Sequence, residues 1–278
     1  MGVVLIFMSA VLNVVQSVLT KFSSIGGRVV RAAPFNLLKS FGSFFLFALI
    51  SAWGFKWHLP TFVYASLYGA FLLCSNVFGY LALTKGPMSL TSIIVTYNVV
   101  IPCIYGVAFL GEKIRIVQGI GFVLLVISLM LLRKKDKEVK FKKYWLLCVL
   151  LTFFGNGSYS VILKMHQTAY PGQFREEFIC IAMLVGFLAM LFVAILTKQK
   201  PNIAETKFGV PVGMLTAMAN YIALYLSATV DATVLFPMTT VFSVCLTCIM
   251  SKIIFKDRFT LPQLFGIALG VISVILIK

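Results

Sequence analysis

Residues 133–143 read RKKDKEVKFKK, seven Lys and Arg against Asp136 and Glu138, at the midpoint of a 278-residue chain. On either side the sequence turns apolar and stays so. Upstream lie apolar runs at 3–22, 34–53, 62–83, 88–110 and 116–132; downstream lie runs at 144–165, 178–197, 209–228, 233–255 and 261–277. Most are close to the roughly 20 residues that cross a bilayer core as helix and about twice the length of a barrel strand. Lipid permits helix because helix pairs its backbone N–H and C=O groups within the segment. The basic stretch is thus a connecting loop, 133–143, between two five-helix halves, 1–132 and 144–278. The expected fold class is an all-α membrane protein of ten transmembrane helices.

Composition supports this. The chain is 60% hydrophobic and 12% charged, with a mean hydropathy of +1.02, which no water-solvated globular surface accommodates. Connections are short and marked by Gly26-Gly27, Lys85-Gly86-Pro87, Gly111-Glu112-Lys113 and Pro171-Gly172. The formal charge of +16 does not indicate nucleic acid, because the basic residues sit between apolar runs rather than on one solvated face. Lysines and arginines beside a membrane fix topology and meet anionic lipid. The first run starts directly after Met1 without a basic leader or small-residue cleavage site, so it is expected to be a span. No lipidation motif is present.

The six cysteines all fall inside apolar runs, where a small hydrophobe is used more often than a thiol. Cys245 and Cys248 spell C-x-x-C, but no His or acid stands near them in sequence to activate a thiolate.

The two halves resemble one another. A shift of 145 aligns residues 80–132 with 225–277 without a gap, matching Tyr80 to Tyr225, Cys103 to Cys248, Gln118 to Gln263, Gly121 to Gly266 and Ser128 to Ser273. A shift of 143 places Asn13 on Asn156, Ser17 on Ser160 and Lys21 on Lys164. Polar and glycine coincidences carry the weight here, since apolar sequences match by chance. Five spans per copy give the copies opposite orientations, so two inverted five-helix repeats are expected, a plan common among secondary transporters.

Catalysis is not expected. None of the eight acids is deep in a run, His58 and His166 lie at connections, and no carboxylate pair, metal cluster or nucleophile set stands at membrane depth. No cofactor and no metal is implied. The lack of a mid-membrane carboxylate also disfavours the simplest proton-driven antiport. Lys39 lies within the second run, about one helical turn from its start; it either snorkels to the interface or anchors an anionic solute.

Amides, hydroxyls and phenols at mid-run are costly against lipid and should face inward. They are Asn13 and Gln16 in the first run, Ser75 and Asn76 in the third, and Thr96, Tyr97 and Asn98 in the fourth. The second half supplies Asn156, Tyr159, Asn220, Tyr221, Tyr225, Thr239 and Thr240. Interhelical hydrogen bonding is one use for such groups; lining a substrate pocket is the other. As candidate substrate contacts we take Asn13, Gln16, Asn76, Tyr97, Asn98, Asn156, Tyr159, Asn220, Tyr221 and Thr240. They suit a polar, uncharged or zwitterionic small molecule. Pro102 and Pro237 interrupt the fourth and ninth runs as hinges or kinks. Gly266 and Gly270 form G-x-x-x-G, used for close packing, for a contact between repeats, or for a homodimer.

The segment Leu110-Gly111-Glu112-Lys113 with Gln118 and Gly121 is echoed by Phe255-Lys256-Asp257-Arg258 with Gln263 and Gly266, while Lys21 and Lys164 close the first helix of each copy. On these residues the whole chain resembles the EamA-like branch of the drug/metabolite transporter superfamily; Lys256-Asp257 departs from the usual Gly-Glu. The resemblance implies alternating access at a midplane pocket lined by the first, third, fourth, sixth, eighth and ninth helices, with small metabolites or drugs as substrates. It makes Glu112 and Asp257 structural caps or gate-adjacent groups rather than ligands.

Charge and resemblance disagree on orientation. Connections after odd-numbered runs hold seventeen basic residues against six on the other side, which puts the 133–143 loop in the cytoplasm and both termini outside; the resemblance implies the reverse. The expected function is a secondary exporter or exchanger in a bacterial cytoplasmic membrane, partnered by membrane lipid and a small-molecule substrate. A flippase for lipid or lipid-linked sugar, or a non-transporting membrane subunit, are the alternatives.

Overall fold

A computed structural model of the chain describes residues 2–23, 31–52, 54–85, 91, 94–131, 143–255 and 260–277. The basic residues 133–142 with Asp136 and Glu138, Gly26-Gly27, Gly86-Pro87 and Lys256-Asp257-Arg258 lie outside the described residues. Most of those described are helical, and none is in a strand. The helices are α1 (Gly2–Ser23), α2 (Ala32–Ser51), α3 (Leu59–Lys85), α4 (Val100–Phe109), α5 (Ile116–Leu131), α6 (Lys143–Ala169), α7 (Arg175–Thr197), α8 (Ile203–Ser227), α9 (Ala232–Phe255) and α10 (Leu261–Ile277).

Seven of these helices contain a stretch long and apolar enough to cross a membrane, namely α1, α2, α3, α6, α7, α8 and α9. Three apolar helices are shorter: Ile94–Phe109, Ile116–Ser128 and Leu261–Ile277. The first of them is also irregular. A 3₁₀ turn at Tyr97–Val99 leads into α4, where Pro102 has no N–H to donate to the preceding turn.

Helix ends follow local chemistry. Gly111 takes φ +67°, the left-handed conformation that glycine enters without steric cost, and the Glu112 N–H then returns to the Gly106 carbonyl at 3.0 Å. At the start of α8, Asn202 Oδ1 accepts the Glu205 N–H at 2.8 Å while Glu205 Oε2 accepts the Asn202 N–H at 2.7 Å, a reciprocal capping box. Arg31 closes on the same carboxylate through its guanidinium, at 3.2 Å.

The chain divides into two compact units, Met1–Leu73 with Ile162–Thr229, and Cys74–Val161 with Val230–Lys278. Each unit takes helices from both sequence halves. The first is built on α8 packed against α1 and α2, with α7 beside α2; the second on α5 against α10, with α9 against α4 and α10.

Very close helix approaches hold the first unit. A Cβ on Gly213 would overlap the Lys39 carbonyl oxygen, and one on Gly42 would overlap that of Val210. Ser43 Oγ donates across this seam to the Gly213 carbonyl at 2.7 Å. Without a hydrophobic force between helices in lipid, backbone approach at small residues supplies the packing. Gly209 and Gly213 thus form the working G-x-x-x-G of α8, a motif passed over at the sequence level.

In the second unit Gly121 of α5 packs on Ser273 and Ile277 of α10, and Ser128 Oγ donates to the Gly266 carbonyl at 2.6 Å. A Cβ on Gly270 would meet Ser128 Oγ at 2.9 Å and Cys245 Sγ at 3.0 Å. Gly266 and Gly270 therefore serve an intramolecular contact that joins a helix of one sequence half to one of the other.

Candidate functional site

The polar residues singled out from the sequence fall into both units. In the first unit, Gln16 extends from α1 to α8, where its Oε1 accepts the Thr216 hydroxyl at 2.6 Å. The Val212 carbonyl one turn back, at 2.7 Å, shares that single hydroxyl proton. Asn13, one turn before Gln16, is half-buried, as are Asn220 and Tyr221 on α8. The Tyr221 hydroxyl donates to the Glu176 carboxylate on α7, and its ring lies 5.3 Å from that of the buried Phe47 on α2.

Glu176 is the residue that sequence reasoning undervalued. It stands in the first turn of α7, at the edge of the apolar run, but the helix packing brings it to Tyr221, a candidate substrate contact. Arg175 beside it lies over the Tyr225 ring, 4.3 Å from the centroid, a cation–π geometry. A carboxylate, a guanidinium and three aromatic rings are gathered where α2, α7 and α8 meet, a set able to engage both ends of a zwitterion.

In the second unit, Ser75 on α3 donates to the Asn156 side-chain oxygen on α6. Asn76 and Tyr159 are half-buried on the same two helices. Asn98 Nδ2 turns back to the Val95 carbonyl at 2.6 Å, satisfying backbone beside the 3₁₀ turn. The Tyr97 hydroxyl donates to the Val126 carbonyl of α5 at 3.2 Å. Thr240 is half-buried on α9. Hence Gln16, Asn156, Tyr97, Asn98 and Tyr221 have intramolecular partners.

His58 lies in the connection before α3, as expected, whereas His166 departs from its expected place. His166 is fully buried inside α6, and a bonded chain links it to His58. Thr61 Oγ1 lies 3.0 Å from His166 Nε2 and 2.9 Å from His58 Nδ1. The Gln167 amide nitrogen lies 3.0 Å from His166 Nδ1, and its oxygen accepts from Gly172 N and Arg175 Nε. Because an amide nitrogen only donates, His166 Nδ1 accepts, its Nε2–H donates to Thr61, and Thr61 donates to His58 Nδ1. Phe174, in the left-handed region at φ 51°, stacks on His58 at 4.2 Å. The array ties α6 to the start of α3 and the connection before it through side-chain hydrogen bonds. Among the described residues no group of three His, Cys, Asp or Glu is placed to hold a metal.

Residues 143–278 match the family model of the EamA-like transporter family. This part of the chain is similar to an EamA-like transporter domain. The family comprises membrane transporters rather than enzymes and belongs to the drug/metabolite transporter superfamily; with the apolar helices it makes this chain a multi-pass integral membrane protein. A solved crystal structure, described only as that of a protein, is similar in fold at a TM-score of 0.81 and 14% identity, covering 99% of this chain and 95% of its own. No curated protein matches the chain.

Local bonding in the EamA-like half is repeated upstream of it. Ser160 Oγ donates to the Asn156 carbonyl at 3.0 Å, and Ser17 Oγ to the Asn13 carbonyl at 2.8 Å. Gln263 Oε1 accepts the Thr260 N–H at 3.0 Å, and Gln118 Oε1 the Arg115 N–H at 2.9 Å. Ser17 and Ser160, and Gln118 and Gln263, thus make the same local bonds in both halves.

Glu112 caps the EamA-like domain's α9. Its carboxylate accepts the Ala232 N–H at 2.8 Å, the Thr233 N–H at 2.9 Å and the Thr233 hydroxyl at 2.9 Å, where the helix dipole favours negative charge. Lys164 reaches the Ser227 carbonyl at 3.0 Å while buried. Both residues belong to the motif quoted for the resemblance, and both bind backbone.

Proposed function

We propose that the chain is a secondary transporter, an exporter or exchanger of a small organic solute such as an amino acid, another metabolite or a drug, in a cytoplasmic membrane. The observation that carries this is the EamA-like transporter match over residues 143–278, extended to the first half by the repeated bonds at Asn13/Asn156 and Gln118/Gln263. On this reading all ten helices cross the membrane as two inverted five-helix repeats, and alternating access proceeds at a midplane pocket to which both repeats contribute.

The candidate contacts are Asn13, Gln16, Asn76, Tyr97, Asn98, Asn156, Tyr159, Asn220, Tyr221 and Thr240. Amides and phenols without a paired buried charge favour a polar or zwitterionic solute, and Glu176 with Arg175 adds a carboxylate and a cation for its two ends.

Reconstitution tests it. Protein in liposomes, given an outward gradient of each solute class, should show gradient-driven flux for one of them, lost in Asn76→Leu and Asn220→Leu variants that remain folded. A ligand of the native state also raises apparent stability by mass action, so a thermal-shift screen selects the class. Flux indifferent to both substitutions would refute the site, and absence of flux across all classes would refute transport.

A further inference from the structure

An apolar groove of about 440 Å³ lies in the second unit between the Tyr97–Ala108 segment and α5, a volume within the range of small-molecule sites, roughly 300–1,000 Å³. Val100, Ile104, Val107 and Val126 line it and are themselves substantially exposed, Ile104 by 60%. Its one polar lining side chain, Tyr97, has its hydroxyl committed to the Val126 carbonyl. The rest of the lining is apolar and suits a hydrocarbon chain.

One end of the groove is marked by charge. Ile114, a lining residue, stands in the extended link between α4 and α5 with Lys113 before it and Arg115 after it, both exposed. The neighbouring carboxylate, Glu112, is bonded to the start of α9 and leaves the two cations without a counter-charge from it. From Ile114 the groove runs along the ten residues of α4, about 15 Å of helix.

We infer that this groove seats an acyl chain of an anionic phospholipid, whose phosphate is held by Lys113 and Arg115. The lipid is a resident of the fold rather than its cargo, so the inference goes beyond the transport reading. It also lies against the 3₁₀ turn, where the fourth helical segment is least regular.

Native mass spectrometry of the full chain, titrated with phosphatidylglycerol or phosphatidylcholine in mild detergent, tests this. One phosphatidylglycerol per chain should be retained in preference to phosphatidylcholine. Lys113→Gln and Arg115→Gln should each weaken that retention about fivefold, the effect of removing one basic contact with anionic lipid, and leave phosphatidylcholine unchanged. Ile104→Trp, which fills the groove, should abolish retention; Val107→Phe serves in its place should the tryptophan variant not elute as a folded species. Val123→Trp, on the exposed face of α5 outside the groove, should change nothing. Equal retention of the two lipids, or retention that survives groove filling, overturns the proposal.

Discussion

Glu112 holds Thr233 twice, accepting its backbone N–H and its hydroxyl at 2.9 Å each. Loss of an N-terminal helix cap destabilises by about 0.5–2 kcal/mol. Glu112→Ala should therefore lower the melting temperature of the detergent-purified protein, and Glu112→Gln, which keeps one acceptor oxygen, should lower it less. Equal melting of wild type and Glu112→Ala would show that the cap carries no weight.

Asp257 aligns with Glu112 at the 145-residue shift, and the start of α9 aligns with residues 87–88. If the repeats are structurally equivalent, Asp257 meets Pro87, which has no N–H, and Met88, which has no hydroxyl, so Asp257→Ala should destabilise by less than Glu112→Ala. An effect as large as that of Glu112→Ala would rule this pairing out.

Gly213→Ala should destabilise by about 1–3 kcal/mol, the usual effect of overpacking, because the new methyl overlaps the Lys39 carbonyl. Gly186→Ala on α7 should do the opposite. A methyl there meets no atom within 4 Å, and removing a helix-interior glycine stabilises by about 0.5–1 kcal/mol. Melting curves of the two variants should bracket the wild type.

Thr61→Val leaves His58 and His166 without the hydroxyl that joins them, and an unsatisfied buried partner costs about 1–3 kcal/mol. Thr61→Ser should restore most of it. Comparable melting of the valine and serine variants would place the stabilisation elsewhere.

Gln16 and Thr216 should couple. In a double-mutant cycle of Gln16→Leu and Thr216→Val, the interaction energy expected for a hydrogen bond between membrane helices is about 0.6 kcal/mol and at most about 1.7. Flux that falls much further in Gln16→Leu than this destabilisation explains would mark the amide as a substrate contact.

Helix positions were legible because apolarity is a local property. The run at 261–277 coincides with α10 (Leu261–Ile277), and that at 178–197 ends with α7 (Arg175–Thr197). The run at 88–110 was less so, since apolarity does not report the 3₁₀ turn at Tyr97–Val99. Local bonds at Gln118 and Gln263 followed the alignment, whereas Ser128 bonds a neighbouring helix and Ser273 its own. Pairings across long separations did not. His166 is buried because Thr61, 105 residues away, bonds it, and Glu176 gains its significance from Tyr221, 45 residues on. Gly209 and Gly213 differ from other glycines only through the α2 backbone they meet.

The seam between Ser43 and Gly213 spans 170 residues of sequence, which bears on biosynthesis. At about 5–20 residues per second, roughly 10–30 s of synthesis separate the two. Over that interval α2 resides in the bilayer with its glycine face unmatched, and the first half of the chain must persist as an assembly intermediate until α8 emerges from the ribosome. Insertion machinery that shelters α2 for that time would keep its glycine face from other partners.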